Sequence, residues 1–206
     1  RVRKQVPAFG EAYYTKGEIN PHVIESEIGV IGVGICYENQ WCFIPELMFS
    51  QGADLMLMPH SAPTPGPYVP RTIQDTYNRK LKSLPTLYGG MLGIPVVMIN
   101  KSGPWRSPIP GIPFVKQDST FPGLSGVADC DGKLKAQLGT EEGLVVEDVR
   151  MDPARKTDSL PRFHGKWTTK MPWYLTFFRI TESIGSACYK MSEERKRKAL
   201  EISSQV

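Results

Sequence analysis

The sequence of 206 residues contains no apolar run approaching the ~20 residues that a bilayer-crossing helix requires, so no segment reads as a membrane span. Cysteine is scarce. Cys36, Cys42, Cys130 and Cys188 are far apart, with no C-x-x-C pair, and His22, His60 and His164 are equally scattered. That spacing excludes a zinc-finger type of site and a disulfide framework, and the expectation is free thiols in a reducing, cytoplasmic setting. Excess charge is small, at +4. Its local concentration, Lys190 with Arg195 to Lys198, has no interleaved aromatic residues and reads as a solvated helix face. Neither a nucleic acid nor a membrane surface is an expected partner. Charged residues are 22% and hydrophobic residues 40%, which excludes a disordered chain.

Glycine and proline are plentiful instead, at 19 and 18 residues, so loops are many. Between them lie short apolar runs of strand length. His22–Glu25 and Ile28–Cys36 read as a strand pair, the second apolar on both faces as in a buried central strand. Pro45–Gly52 reads as a short helix ended by glycine. A second buried strand covers Ala53–Met58, stopping at Pro59-His60-Ser61, and a third covers Pro95–Asn100. Between these two strands a polar helix over 71–92 is expected to be interrupted at Pro85. A long loop is expected from Gly103 to Pro113. Short strands follow at 125–128, 134–138 and 143–149, with Asp131-Gly132 as a hairpin turn. The order strand, helix, strand, helix, strand, meander is that of an α/β protein with mixed β-sheets flanked by helices. We place one body over 1–152 and a C-terminal arm over 153–206, loop then helix from 174 to 202.

Cys36 is the residue best placed for chemistry. It ends a buried strand, where a sharp turn presents the sulfur at the carboxyl edge of a sheet and lets the next backbone N–H face a developing oxyanion. On position alone, a buried core cysteine remains the plainer reading.

The surrounding residues shift that balance. Gly32-Val33-Gly34-Ile35-Cys36-Tyr37-Glu38, followed by Trp41 and Pro45-Glu46, resembles the nucleophile motif of the nitrilase superfamily, the carbon–nitrogen hydrolases. Gly52-Ala53-Asp54 with its strand, Gly93 to Gly103 with Asn100, and Phe121 to Gly132 are similar to later motifs of the same family, in the same order. The resemblance covers 1–150 and implies part of an α-β-β-α sandwich. It also implies a hydrolase of non-peptide C–N bonds that acts through a cysteine thioester, without metal or organic cofactor, on a small-molecule substrate.

Carried over residue by residue, the family's lysine falls on Lys4 in Lys4-Gln5-Val6-Pro7, 32 positions before Cys36, and its supporting glutamate on Glu11. The Tyr37 N–H is expected in the oxyanion site, and His60 and Ser61 are candidates for the substrate pocket or plain loop residues. Glu38 is assigned to holding the turn, and Cys42 to structure. In the family a general-base glutamate precedes the lysine. The sequence is therefore expected to be the later part of a longer polypeptide, short of roughly 100 residues and not competent alone. Tyr37 and Trp41 are similar to the amidase and carbamoylase branches, whereas Glu38-Asn39 is similar to the C-W-E-N of true nitrilases. Amide or carbamoyl substrates are favoured over nitriles. A non-catalytic homologue serving in assembly or regulation is the rival reading. The apolar stretch Trp173, Tyr174, Leu175, Phe177, Phe178 and Ile180 points to a homo-oligomer.

Overall fold

The computed structural model describes residues 2–8, 11, 21–109, 112–170 and 175–204. Strands β1 (Val23–Ser26) and β2 (Gly29–Val33) form an antiparallel hairpin. A 3₁₀ turn, Cys36–Gln40, leads into α1 (Phe43–Ser50). Then come β3 (Leu55–His60), α2 (Arg71–Leu92) and β4 (Val96–Asn100). The remaining strands are β5 (Ser102–Ile109), β6 (Ile112–Pro122), β7 (Gly126–Ala128) and β8 (Leu134–Gln137). The arm carries a 3₁₀ turn at Pro153–Arg155, then α3 (Leu175–Met191) and α4 (Glu193–Ser204).

Six strands make one mixed sheet in the order β1-β2-β3-β4-β7-β8. The central trio β2, β3 and β4 is parallel and the flanking pairs are antiparallel. Parallel strands need crossovers, and α1 and α2 supply them on a single face. Alternation along the strands aims Met56, Met58, Val96 and Met98 at that face. There they pack with Ile44 and Met48 of α1 and with Leu81, Leu84, Tyr88 and Leu92 of α2. Gly32 is required at the contact, because a Cβ there would run into Met48. On the opposite face Ile24 is 42% and Ile99 61% exposed, and no described element covers them.

Five sequence expectations need correction. Pro85 does not interrupt α2, which runs unbroken to Leu92 and stops at Gly93 in the left-handed conformation, φ 70°. Proline removes one helical hydrogen bond, but Pro85 sits on the buried stripe with Leu81, Leu84 and Tyr88, and that packing holds the helix together. The expected loop from Gly103 to Pro113 is a long two-stranded ribbon, β5 with β6. Both of its strands are edges, where Pro104 and Pro108 need not donate to a ladder. The strand expected at 143–149 does not form, and Leu144 and Val146 stand exposed with no pairing strand among the described residues. The single helix expected over 174–202 is two, broken at Ser192, whose Oγ accepts from Arg195 N–H at 3.3 Å as the cap of α4. Strand β3 also extends through Pro59 and His60.

The arm begins against the body. Lys156 pairs with Asp54 at 2.5 Å and donates to the Gly52 carbonyl at 2.8 Å, and Arg155 pairs with Asp131. Of the apolar stretch expected to bind a second copy, Trp173 and Tyr174 and the side chains of Leu175, Phe177 and Phe178 lie outside the described residues, while Ile180 is exposed.

Candidate active site

Strand β2 ends in Gly34-Ile35, and Cys36 then adopts φ 57°, left-handed for a residue with a Cβ. That conformation costs roughly 1–2 kcal/mol and persists only where the surroundings over-determine it. Three buried groups do so. Asn39 donates from Nδ2 to the Gly34 carbonyl at 2.8 Å and to His60 Nε2 at 3.0 Å. Gly34 leaves room for this amide, since a Cβ there would strike Asn39 Oδ1. Tyr88, on α2, donates its hydroxyl to the Asn39 carbonyl at 2.8 Å. Glu38, fully buried, accepts from Ile35 N–H at 2.8 Å through Oε1 and from Gln5 N–H at 3.0 Å through Oε2, with a longer contact from Val6 N–H at 3.5 Å.

Glu38 thereby ties the segment bearing Lys4 to the segment bearing Cys36. Lys4 Nζ donates to Glu11 Oε2 at 2.6 Å, and the same oxygen accepts from Ala8 N–H at 2.7 Å. Lys4 and Glu11 thus form an ion pair beside the cysteine. On the far side, Asn100 at the end of β4 accepts from Ala62 N–H at 2.9 Å and donates to the Gly123 carbonyl at 2.9 Å. It fixes the loop in which Ser61 lies. The sequence motif contained Asn100, but its bonds span 23 and 38 residues and only the fold reveals them.

The electrostatics of the thiol follow from this arrangement. Burial pushes the Cys36 thiol up from its ordinary value. The Lys4 charge and the Ser61 and Tyr37 N–H groups pull it down without cancelling that rise, and the Glu11 charge adds to it. Burial thus favours the thiol at Cys36, while two backbone N–H groups face its sulfur and the charge of Lys4 acts on it. His60, 8% exposed, is pushed down to about 3, first by burial and then by the Lys4 charge, so its imidazole is neutral.

The structure therefore brings Lys4, Glu11, Cys36, Tyr37 and Ser61 to one corner of the sheet. The His60 ring lies beneath the turn, buried against Asn39. One surface cleft of about 470 Å³ lies around Tyr68 and Arg71, and a second of about 520 Å³, around Lys101, Phe121 and Glu141, is lined also by Asn100 and Gly123. Among the described residues no group of three or more His, Cys, Asp or Glu side chains is arranged to hold a metal ion. No helix of the described residues is long and apolar enough to cross a membrane.

A family model for carbon–nitrogen hydrolases matches residues 2–158. The chain belongs to the carbon–nitrogen hydrolase family. Among solved structures, this family member is similar to the carbon–nitrogen hydrolase from Helicobacter pylori G27, at 19% identity and a TM-score of 0.59. That match covers 69% of this chain and 47% of the other, so the chain spans about half the length of that relative. It is also similar to the glutamine-dependent NAD+ synthetase from Acinetobacter baumannii, at 19% identity and a TM-score of 0.50, over 65% of this chain and 22% of that one. Saccharomyces cerevisiae Nit3, of branch 10 of the nitrilase superfamily, matches at 23% identity and a TM-score of 0.45 over 63% of this chain and 40% of that one. A search of curated proteins returns no match. The α/β fold with its mixed sheet is that of the carbon–nitrogen hydrolases.

One part of this family member's site, supplied by the arm, was not legible in sequence. Residues 164–168 of the arm lie against the turn: Cys42 N–H donates to the Lys166 carbonyl at 3.0 Å and Thr168 N–H to the Gln40 carbonyl at 2.9 Å. Trp167 packs on Trp41 with ring centroids 4.7 Å apart. Cys42 itself reaches the Gly165 carbonyl at 3.6 Å. No local pattern marks a bridge between positions 41 and 167; the only signal is a tryptophan in an otherwise polar stretch.

Proposed function

We propose that this protein hydrolyses a non-peptide C–N bond of a small molecule, of amide or carbamoyl type, through a thioester on Cys36. The observation that carries this reading is the placement of the strained Cys36 at a sheet edge with the Lys4 ammonium and two backbone N–H groups around its sulfur. Attack forms an S–C bond at the carbonyl carbon, and the negative charge that develops on oxygen is met by fixed donors and a fixed cation, which need not reorganise during the step. The C–N bond then breaks. The thiol proton passes to a carboxylate base and from it to the departing amine; in the family this base is a glutamate preceding the lysine. Water hydrolyses the thioester, releasing the acid and returning the thiol. A thiol held neutral at rest suits this order, because it loses its proton only as the nucleophile acts. Glu11 holds the Lys4 side chain in place through their 2.6 Å ion pair.

The test is to incubate the full-length protein with short-chain amides, N-carbamoyl amino acids and nitriles, following ammonia release and the intact mass. Amide or carbamoyl turnover that disappears in Cys36→Ala, with an acyl adduct on the Cys36 peptide, is the expected result. Turnover that survives Cys36→Ala overturns the assignment. A fully folded wild type that neither turns over nor acylates supports the assembly role instead.

A further inference from the structure

The family match ends at residue 158, yet the chain beyond it reaches the site. Residues 164–168 strap the turn, and Tyr37, the residue after the nucleophile, packs edge-on against Trp41 at 6.3 Å and beside Trp167 at 6.4 Å. Helix α3 follows. Thr181 and Gly185, one turn apart, are buried, so this stripe of α3 is covered. Glu182 lies beside them. Its Oε1 is buried without a hydrogen-bond partner among the described residues, its carboxyl faces the Tyr37 hydroxyl, and it lies in the field of Lys4.

We propose that Glu182 is a positioning residue of the active site, supplied by the C-terminal helix, which braces Tyr37 behind the nucleophile and tunes the field that Lys4 exerts on Cys36. This rests on the reading of Cys36 and Lys4 as the reacting pair. A carboxyl that only solubilised a helix would stand in water; this one is half-buried. Burial raises it to about 7, while Arg179, Tyr37 and Lys4 pull the other way. The groups that face it are Arg179 from its own helix, Tyr37 from the nucleophile turn, and Lys4, itself paired with Glu11, from the first segment. Near neutrality Glu182 therefore changes charge. Protonated, it leaves the pull of Lys4 on the Cys36 sulfur undiminished. Ionised, it offsets part of that pull and favours the thiol.

Alkylation of Cys36 by iodoacetamide reads this directly, because the thiolate displaces iodide and no turnover is needed. The rate at the Cys36 peptide is measured by mass spectrometry from pH 5.5 to 9 in the full-length protein and in Glu182→Gln, which mimics the neutral acid. The wild-type profile should show an inflection near pH 7, below the ionisation of the thiol itself. Glu182→Gln should lack it and react about two- to fivefold faster above pH 7, the effect of one partly screened charge at such a range. Glu182→Asp, which retains an acid of shorter reach, should keep an inflection displaced to lower pH, and it stands in should Glu182→Gln fail to fold. A wild-type profile without the inflection, or one unchanged in Glu182→Gln, overturns the proposal. Absence of hydrolysis in a wild type that shows this inflection would instead count against the assigned reaction and leave the role of Glu182 standing.

Discussion

Replacing Glu38 should cost more than any surface carboxylate, and its hydrogen bonds set the size of the loss. It is fully buried and accepts from Ile35 N–H at 2.8 Å and Gln5 N–H at 3.0 Å, with the 3.5 Å approach of Val6 N–H too long to count fully. A hydrogen bond to a charged group is worth about 1.5–3 kcal/mol, and a donor left buried without a partner costs about 1–3 kcal/mol. Two such donors orphaned in Glu38→Ala put the loss at about 3–5 kcal/mol, a large share of the ~5–15 kcal/mol that stabilises a typical domain. With a urea dependence of about 2 kcal/mol per molar, the midpoint should fall by about 1.5–2.5 M at unchanged slope. Glu38→Gln keeps one acceptor and turns an amide N–H₂ toward a backbone donor, so roughly half that loss is expected. The lysine segment is released at the same time, so Cys36 alkylation should slow even in the fraction that stays folded. A Glu38→Gln midpoint within about 0.5 kcal/mol of wild type, the range of ordinary surface changes, would refute the claim that this carboxylate joins the two segments.

Three further outcomes are expected. Lys4→Met removes the charge that most lowers the Cys36 thiol, so alkylation at pH 8 should slow about severalfold, the effect of one nearby, partly screened charge; an unchanged rate counts against Lys4 beside the sulfur. His60 is held near 3 in the fold against 6.5 free, so between those values the unfolded chain binds the extra proton. The stability from keeping it neutral is complete above pH 6.5 and drains as pH falls toward 3, by up to about 1.4 kcal/mol per unit. The melting temperature of His60→Gln should accordingly depend less on pH between 4 and 6, and an equal slope would contradict the buried neutral imidazole. Gly34→Ala drives a Cβ into the Asn39 amide and should cost about 1–3 kcal/mol in chemical denaturation, whereas a neutral effect would mean that the turn relaxes freely.

The central strands were readable because β2, β3 and β4 are continuous apolar runs bounded by breakers, which is how parallel strands covered by crossovers appear. The turn after Cys36 was readable from the resemblance instead, which assigned Glu38 to holding it. Proline misled in both directions. Pro85 looked like a break, but burial of its ring outweighs the lost hydrogen bond, and Pro104, Pro108 and Pro113 looked like loop although an isolated ribbon has no interior strand to forbid them. Leu144 to Val149 shows the reverse fault: a short β-branched apolar run is no strand without a neighbour to pair with. Asn100, Trp167 and Glu182 escaped notice as parts of the site because each acts across the fold, and a one-dimensional pattern records no such distance.

The strap from Gln40 to Thr168 also sets an order of events during synthesis. The two residues are 128 positions apart, and a ribosome adding about 5–20 residues per second needs roughly 6–26 s to bridge that gap. Throughout this interval the nascent chain holds Cys36, with Trp41 and Tyr37 bare on one side, and lacks the segment that covers them. Strands β2 to β4 can associate over short sequence separations meanwhile, but closure across so long an interval comes late. The corner that holds Cys36 is thus finished after its scaffold, and a chain released before residue 168 would carry a formed sheet and an unclasped turn at Cys36.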